Sequence, residues 1–320
     1  MQSNITRVKT YTNEYDVEVE WDLTTRCNYA CSYCKSYDNT QPLLTKSLED
    51  YEIAIGYLIN YFPKKVIKFD FLGGEPTLIK HWAELLQIIH SKNHVFKIIT
   101  NLSLPINALK NKLKNKTFKN CIDASFHPEF SNPDDFINKV EYLYSNNFLK
   151  SVGILMLPKY WDICKYVYEK LKYTNSVRYN KIKDEDTNTL FIASKFIYYT
   201  DEQLSIFTDT SNLGDEGRYT EITYSDKVVK YKQVEDLAAN NITNFKGLLC
   251  YIGKARLHIT ATGDVFPSAC LLKYQKSKIG NIYKQDLKNI ANPIVCPFSF
   301  CGCGPDIRIE KKAINHYEYR

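Results

Sequence analysis

No run in this 320-residue chain approaches the ~20 consecutive apolar residues needed to cross a bilayer, which excludes a helical membrane span. The opening residues, Met1-Gln2-Ser3-Asn4-Ile5-Thr6-Arg7, contain no apolar signal region, so the reading is a cytoplasmic protein with no membrane role. Charge of one sign is scarce as well: the net charge is +6, and no long basic run occurs. That balance neither demands nor excludes a nucleic-acid partner, and no dense basic and aromatic surface stands out. Ten cysteines are present, but a reducing compartment argues against a disulfide scaffold, and their clustering points to metal. The length suits one large domain and one small one.

What is present begins with Cys27-Asn28-Tyr29-Ala30-Cys31-Ser32-Tyr33-Cys34, three thiols in eight residues, directly after the alternating apolar stretch 17–23. Three thiolates can hold three irons of a four-iron, four-sulfur cube and leave the fourth open to a small molecule. Zinc also takes thiolates, but it would want a fourth ligand nearby. The closest downstream histidine, His81, falls beyond a glycine turn, Phe69-Asp70-Phe71-Leu72-Gly73-Gly74-Glu75-Pro76.

The spacing Cys-x3-Cys-x2-Cys with an aromatic before the last cysteine, followed by that turn, resembles the signature of radical S-adenosylmethionine (SAM) enzymes. The resemblance implies that Cys27, Cys31 and Cys34 bind the four-iron cluster and that Tyr33 lies against the adenine. Gly73, Gly74, Glu75 and Pro76 would form the SAM-binding turn, with the glycines admitting the methionine amino group. It further implies that one electron, from a reducing partner such as flavodoxin or ferredoxin, breaks a sulfur–carbon bond. The resulting 5′-deoxyadenosyl radical takes hydrogen from a strong C–H bond, the cofactor carrying the hard chemistry.

Between residues 16 and 182 short apolar runs alternate with helical periods, which predicts repeated strand–helix units and a parallel sheet. Strands are expected at 17–23, 66–71, 96–100, 122–126, 152–157 and 177–182, with helices at 48–62, 81–90, 106–113, 133–144 and 163–171. Thr45 or Ser47 would cap the first helix. Six units fit the open, partial (β/α)6 TIM-like barrel of the resembled family, with the chemistry at the strands' C-terminal ends. By that resemblance Thr100, Asn101 and Ser125 are strand-end contacts to SAM; Met156, near the end of the fifth strand, is a candidate for the adenine pocket, with core packing the favoured alternative. Alternation puts Cys121, Asp123 and Ser125 on one face, with Cys121 read as a buried thiol. His127, after a strand end, is a candidate acid or hydrogen-bond donor to substrate. Cys164, expected near the barrel mouth, is a candidate hydrogen donor to a carbon radical; the alternative is a buried helix cysteine. Only about sixteen residues precede the first expected strand, too few for the winged peptide-recognition domain of many peptide-modifying relatives.

Residues 183–245 lose the repeat and read as a bridging insertion, with a polar run at 183–188, an apolar segment at 190–199 and a hairpin near 219–231. Half of the cysteines follow: Cys250, Cys270, Cys296, Cys301 and Cys303. Residues 257–266 read as two short strands around a glycine turn, which can bring Cys250 and Cys270 together. This layout over 246–320 resembles the small α+β twitch domain, a shortened relative of the SPASM domain, and implies an auxiliary iron–sulfur cluster. Five thiols suit one such cluster with one spare; the choice between Cys296 and Cys303 is open, and structural zinc is the alternative. The expected activity is hydrogen abstraction from a peptide or small metabolite, the auxiliary cluster assisting oxidation or quenching. The alternatives are a nucleic-acid- or nucleotide-modifying radical enzyme and a non-catalytic metal-binding protein.

Overall fold

The computed structural model describes residues 5–34, 43–182, 199–207, 218–232, 237, 242–272, 274–290, 292–301 and 303–314. Strand β1 (Ile5–Thr12) precedes β2 (Val17–Thr24), α1 (Leu48–Tyr61), β3 (Ile67–Gly73), α2 (Trp82–Ser91) and β4 (Val95–Thr100). Next come α3 (Ile106–Leu113), β5 (Ile122–Phe126), α4 (Pro133–Ser145), β6 (Leu149–Leu155), α5 (Trp161–Leu171) and β7 (Val177–Asn180). Strands β2 to β7 lie side by side and parallel, the partial barrel anticipated from the alternating pattern.

Helix boundaries follow local chemistry. Ser47 caps α1 through a reciprocal capping box with Asp50. Asn132 caps α4, with Pro133 in its first turn, where a missing N–H costs nothing. The fifth barrel strand begins at Leu149 rather than 152, because Asn147 turns in the left-handed region (φ 59°) and delivers Phe148 and Leu149 into the core. Val17, Val19, Trp21 and Leu23 of β2 face the helices, where they meet Tyr51, Ala54, Ile55 and Leu58 of α1.

The opposite face of the sheet carries charge. Inside the barrel Lys68 pairs with Asp70 (2.9 Å) and Glu18 (3.7 Å), and Lys97 with Asp123 (2.9 Å) and Asp70 (3.8 Å). Alternation alone explains the division: even residues of β2 and β3 point into the barrel, odd ones toward the helices. Burial would raise the Asp123 carboxyl, but Lys97 and Arg178 hold it down at about 2.

The chain continues through α6 (Asp201–Ser205), β8 (Arg218–Tyr224), β9 (Val228–Tyr231), β10 (Leu249–Cys250) and β11 (Arg256–Ile259). It ends with β12 (Asp264–Phe266), β13 (Gly280–Asn281), β14 (Ile294–Val295), α7 (Gly304–Ile307) and β15 (Lys311–Lys312). The β11–β12 hairpin turns at Gly263 (φ 86°) and extends the barrel sheet, with β11 running parallel to β2. A second sheet, in the order β14-β10-β15-β1-β8-β9, combines the N-terminal strand with late segments. The first strand is therefore Ile5–Thr12 and not 17–23, and pairing crosses the divisions drawn at 182 and 246. The polar run 183–188 and most of the apolar segment 190–199 lie outside the described residues; Tyr199 donates to Met156 O at 2.8 Å. Among the described residues no helix is long and apolar enough to cross a membrane.

β11 also completes the charged interior. Arg256 pairs with Glu20, with Glu18 (3.5 Å) and with Asp306 (2.9 Å), while His258 lies 3.1 Å from both Glu20 and Asp22. Burial opposes a charge on His258, but the two carboxylates outweigh it and raise its pKa to about 10. A group raised from 6.5 stabilises the fold fully below that value and loses the contribution as pH climbs to about 10. Chemical unfolding across this window should show stability falling by on the order of a few kcal/mol, and the fall should be absent in His258→Gln.

Candidate functional site

At the C-terminal ends of the barrel strands a cavity of about 410 Å³ receives Cys27, Cys31 and Cys34 from the loop after β2. Gly73, Gly74 and Glu75 enter from β3, Thr100 and Asn101 from β4, and Ser125 and His127 from β5. Tyr29, Ala30, Leu72, Ile99, Leu155 and Asn180 complete the wall. The structure thus assembles ten residues singled out in the sequence around one space, from four separate strands. Asn180 was missed, although it ends β7 as Thr100 ends β4; the same strand-end rule applies to it. Gly153 beside it leaves the room, since a Cβ there would overlap the Asn180 amide.

The glycine turn has a structural reason beside the one expected. Gly73 sits at φ 120°, and Gly74 N donates to Thr24 O (2.8 Å) while Glu75 N donates to Arg26 O (2.9 Å). A Cβ on Gly74 would overlap the Arg26 carbonyl and lie 2.9 Å from Cys27 N. The glycines therefore admit the start of the cysteine loop, backbone against backbone, rather than only a ligand. Glu75 is buried, and its carboxylate accepts from Thr77 N (3.0 Å) and the Thr77 hydroxyl, from Thr100 Oγ1 (2.7 Å) and from Asn101 N (2.8 Å). Burial still raises its pKa despite these donors. Glu75 ties the turn to the end of β4, so its oxygens are engaged within the protein. Pro76, buried, starts the short turn that follows. Asn101 Nδ2 donates to Asn28 Oδ1 at 3.1 Å, bracing the cysteine loop from the β4 side.

Three further candidates lie off the cavity wall, two of them in the buried positions given as their alternatives. Tyr33 is absent from the cavity wall: it is buried with Leu157 and Ile182, and its hydroxyl lies 2.9 Å from His127 Nδ1. Met156 is fully buried in the barrel core against the helices, so alternation turns it away from the cavity. Cys164 is 0% exposed, its Sγ donates to Leu155 O at 3.4 Å, and it packs in the core with Val167 and Leu171 on one face of α5. It does not reach the barrel mouth. Cys121 is buried, as read.

Burial holds His127 neutral by lowering its pKa to about 4. Its Nδ1 meets both the Tyr33 hydroxyl (2.9 Å) and Cys31 Sγ (3.6 Å). Burial also pushes the Cys27 thiol up to about 11 and Cys31 to about 12, so their thiolates need a cation to form at neutral pH. Among the described residues no three His, Cys, Asp or Glu side chains converge on one point. The three thiols instead face a shared space with polar strand ends opposite, and that donor set and room fit an iron–sulfur cube with an organic ligand.

Cys250, Cys270, Cys296 and Cys301 gather in one apolar cluster with Val8, Ile222, Phe245 and Ile252. Burial raises each of Cys250, Cys270 and Cys301, the first to about 11 and the last to about 12. Cys303 lies apart from that cluster, its Sγ 4.0 Å from Arg256 Nη2. Asp306 accepts from Cys270 N at 2.8 Å while pairing with Arg256, linking this group to the barrel interior. Ser268 Oγ lies 3.1 Å from Cys270 Sγ, and the four gathered thiols are a donor set that suits iron–sulfur ligation.

The tight docking of the glycine turn makes a direct prediction. Gly74→Ala should prevent Thr24–Cys27 from seating, cutting iron retained after anaerobic reconstitution by at least about tenfold, while far-ultraviolet circular dichroism stays near wild type. Iron analysis of the desalted protein reads the effect.

Residues 21–163 match the family described as the Radical SAM superfamily. The fold resembles Streptococcus suis SuiB bound to S-adenosylmethionine, with a TM-score of 0.58 and 14% identity over 86% of this chain and 65% of that one. It resembles SuiB bound to the precursor peptide SuiA equally well, with a TM-score of 0.57, 14% identity and coverage of 86% and 64%. A third likeness is anSMEcpe with bound AdoMet, with a TM-score of 0.55, 14% identity and coverage of 84% and 78%. The chain therefore spans slightly less than two thirds of the SuiB length. Comparison with curated protein sequences finds no match. The three thiols and most of the strand-end cavity thus fall within residues 21–163, the segment that matches the Radical SAM superfamily.

Proposed function

We propose that this chain is a radical SAM enzyme that takes a hydrogen atom from a peptide or small metabolite. The observation that carries the reading is the convergence of Cys27, Cys31 and Cys34 on the cavity bounded by Gly74, Asn101 and Ser125. When bound there, a four-iron, four-sulfur cluster and SAM would supply one-electron cleavage of the sulfonium and a 5′-deoxyadenosyl radical. The chain's own part is to aim and shelter. Ser125 and Asn180 would present polar groups to the ligand, and Leu72, Ile99 and Leu155 would keep the reacting space dry. His127, on the cavity wall, would offer a hydrogen bond to substrate. The SuiB and anSMEcpe structures whose names include peptides, SuiA and Cp18Cys, support a peptide as one substrate class. Electrons would come from a flavodoxin- or ferredoxin-like partner.

For the remainder we propose a core at 1–182, a bridging insertion at 183–245 and an auxiliary-cluster segment at 246–320, joined by the shared strand pairings. Cys250, Cys270, Cys296 and Cys301 would be the ligands, supported by their common apolar cluster, and Cys303 the spare thiol beside Arg256. Such a cluster would accept an electron from a substrate radical, making the net reaction an oxidation.

Two experiments test these assignments. Anaerobically reconstituted protein given SAM and dithionite should release 5′-deoxyadenosine, and Cys31→Ala should release none; silence from the wild type would refute the radical reading. Cys296→Ala should lose about one cluster's worth of iron, whereas Cys303→Ala should keep the wild-type content. Equal losses would reject the ligand choice.

A further inference from the structure

Two loops separated by almost a hundred residues close on each other beside the cavity. One is the cysteine loop, 27–34; the other, 127–131, follows β5. Glu129 accepts two hydrogen bonds from Ser32, one from the backbone N (Oε2, 2.6 Å) and one from Oγ (Oε1, 2.6 Å). Tyr33 and His127 lie parallel at 7°, with ring centroids 6.1 Å apart, and Cys31 Sγ is 3.6 Å from the same Nδ1 that meets the Tyr33 hydroxyl. Tyr29 stacks on Phe130 at 5.3 Å.

The second loop is a preformed turn. Phe130 N and Ser131 N both donate to His127 O (3.0 and 2.8 Å), and α4 begins immediately afterwards under the Asn132 cap. Within the cysteine loop Cys34 N donates to Cys31 O (3.0 Å) and Tyr29 N to Cys27 Sγ (3.4 Å). Its start is fixed by the glycine turn and Asn28 by Asn101, whereas Ser32 and the rings of Tyr29 and Tyr33 meet 127–131.

We propose that 127–131 is a clamp that holds the cysteine loop in its cluster-binding shape, with Glu129 and His127 as positioning residues. The proposal rests on the cluster reading given above. Glu129 supplies the main restraint, because a carboxylate on a backbone N–H is a charge-assisted hydrogen bond and both its oxygens land on one residue. Such outer partners orient metal ligands and typically govern metal retention. Glu129 is not among the residues that line the cavity, and its two hydrogen bonds act on the loop through Ser32.

The test uses the full chain, reconstituted anaerobically, as wild type, Glu129→Ala, Glu129→Gln, Ser32→Ala and the Ser32→Ala/Glu129→Ala double variant. Iron loss to a chelator is timed, and the electron paramagnetic resonance signal that changes on adding SAM marks the N-terminal cluster. Glu129→Ala should lose that signal about 10- to 100-fold faster than wild type. Glu129→Gln, which loses the charge, and Ser32→Ala, which loses the hydroxyl bond, should fall between. The double variant should be no faster than Glu129→Ala, since both changes remove one interaction. Wild-type loss rates in Glu129→Ala, or in both Glu129→Gln and Ser32→Ala should the alanine variant fail to fold, would overturn the clamp. A wild type with no SAM-responsive signal would overturn the cluster reading itself, and the clamp with it.

Discussion

The placement of the three thiols depends on a backbone-to-backbone contact between two strand ends. Gly74 and Glu75 hydrogen-bond to Thr24 and Arg26, and the contact is so close that no side chain fits at position 74. Everything the cysteine loop does begins from that anchored start. Glu75 extends the constraint to β4 by gathering donors from Thr77, Thr100 and Asn101. A carboxylate that is usually costly to bury becomes the knot joining two strand ends, because its oxygens are satisfied where they lie.

The same sheet separates two chemistries by alternation. Apolar residues on one side bind the helices, and charged residues on the other fill the barrel below the cavity. Buried ion pairs of this kind contribute little net stability against a hydrophobic replacement, but removing one partner leaves an uncompensated charge. Arg256 shows why the network extends beyond the barrel. It meets Glu18 and Glu20 of β2, Asp306 near the last cysteines and Cys303, so the barrel interior and the C-terminal segment share one set of charges.

Much of this was legible in the sequence, and the losses have physical causes. The repeat of strand and helix, the cysteine spacing and the glycine turn are local patterns, and they located the parallel sheet and the strand-end residues. β1 escaped notice because of its eight residues only Val8 is fully buried, leaving little alternation to read. The parallel seat of β11 on β2 joins residues more than two hundred positions apart, which no local period reveals. Cys164 was placed at the barrel mouth because the preceding strand was drawn two residues too far; its spacing with Val167 and Leu171 already marked the buried face of α5. Tyr33 follows its motif in sequence, but the apolar pair Leu157 and Ile182 and the ring of His127 draw it aside.

The central claim is that Cys27, Cys31 and Cys34 hold a cluster with one iron left for SAM. Mössbauer spectra of the anaerobically reconstituted protein, recorded without and with SAM, test it most directly. One iron of the N-terminal cluster should shift toward higher coordination when SAM is added. Irons that ignore SAM, or N-terminal thiols that bind zinc in place of iron, would contradict it.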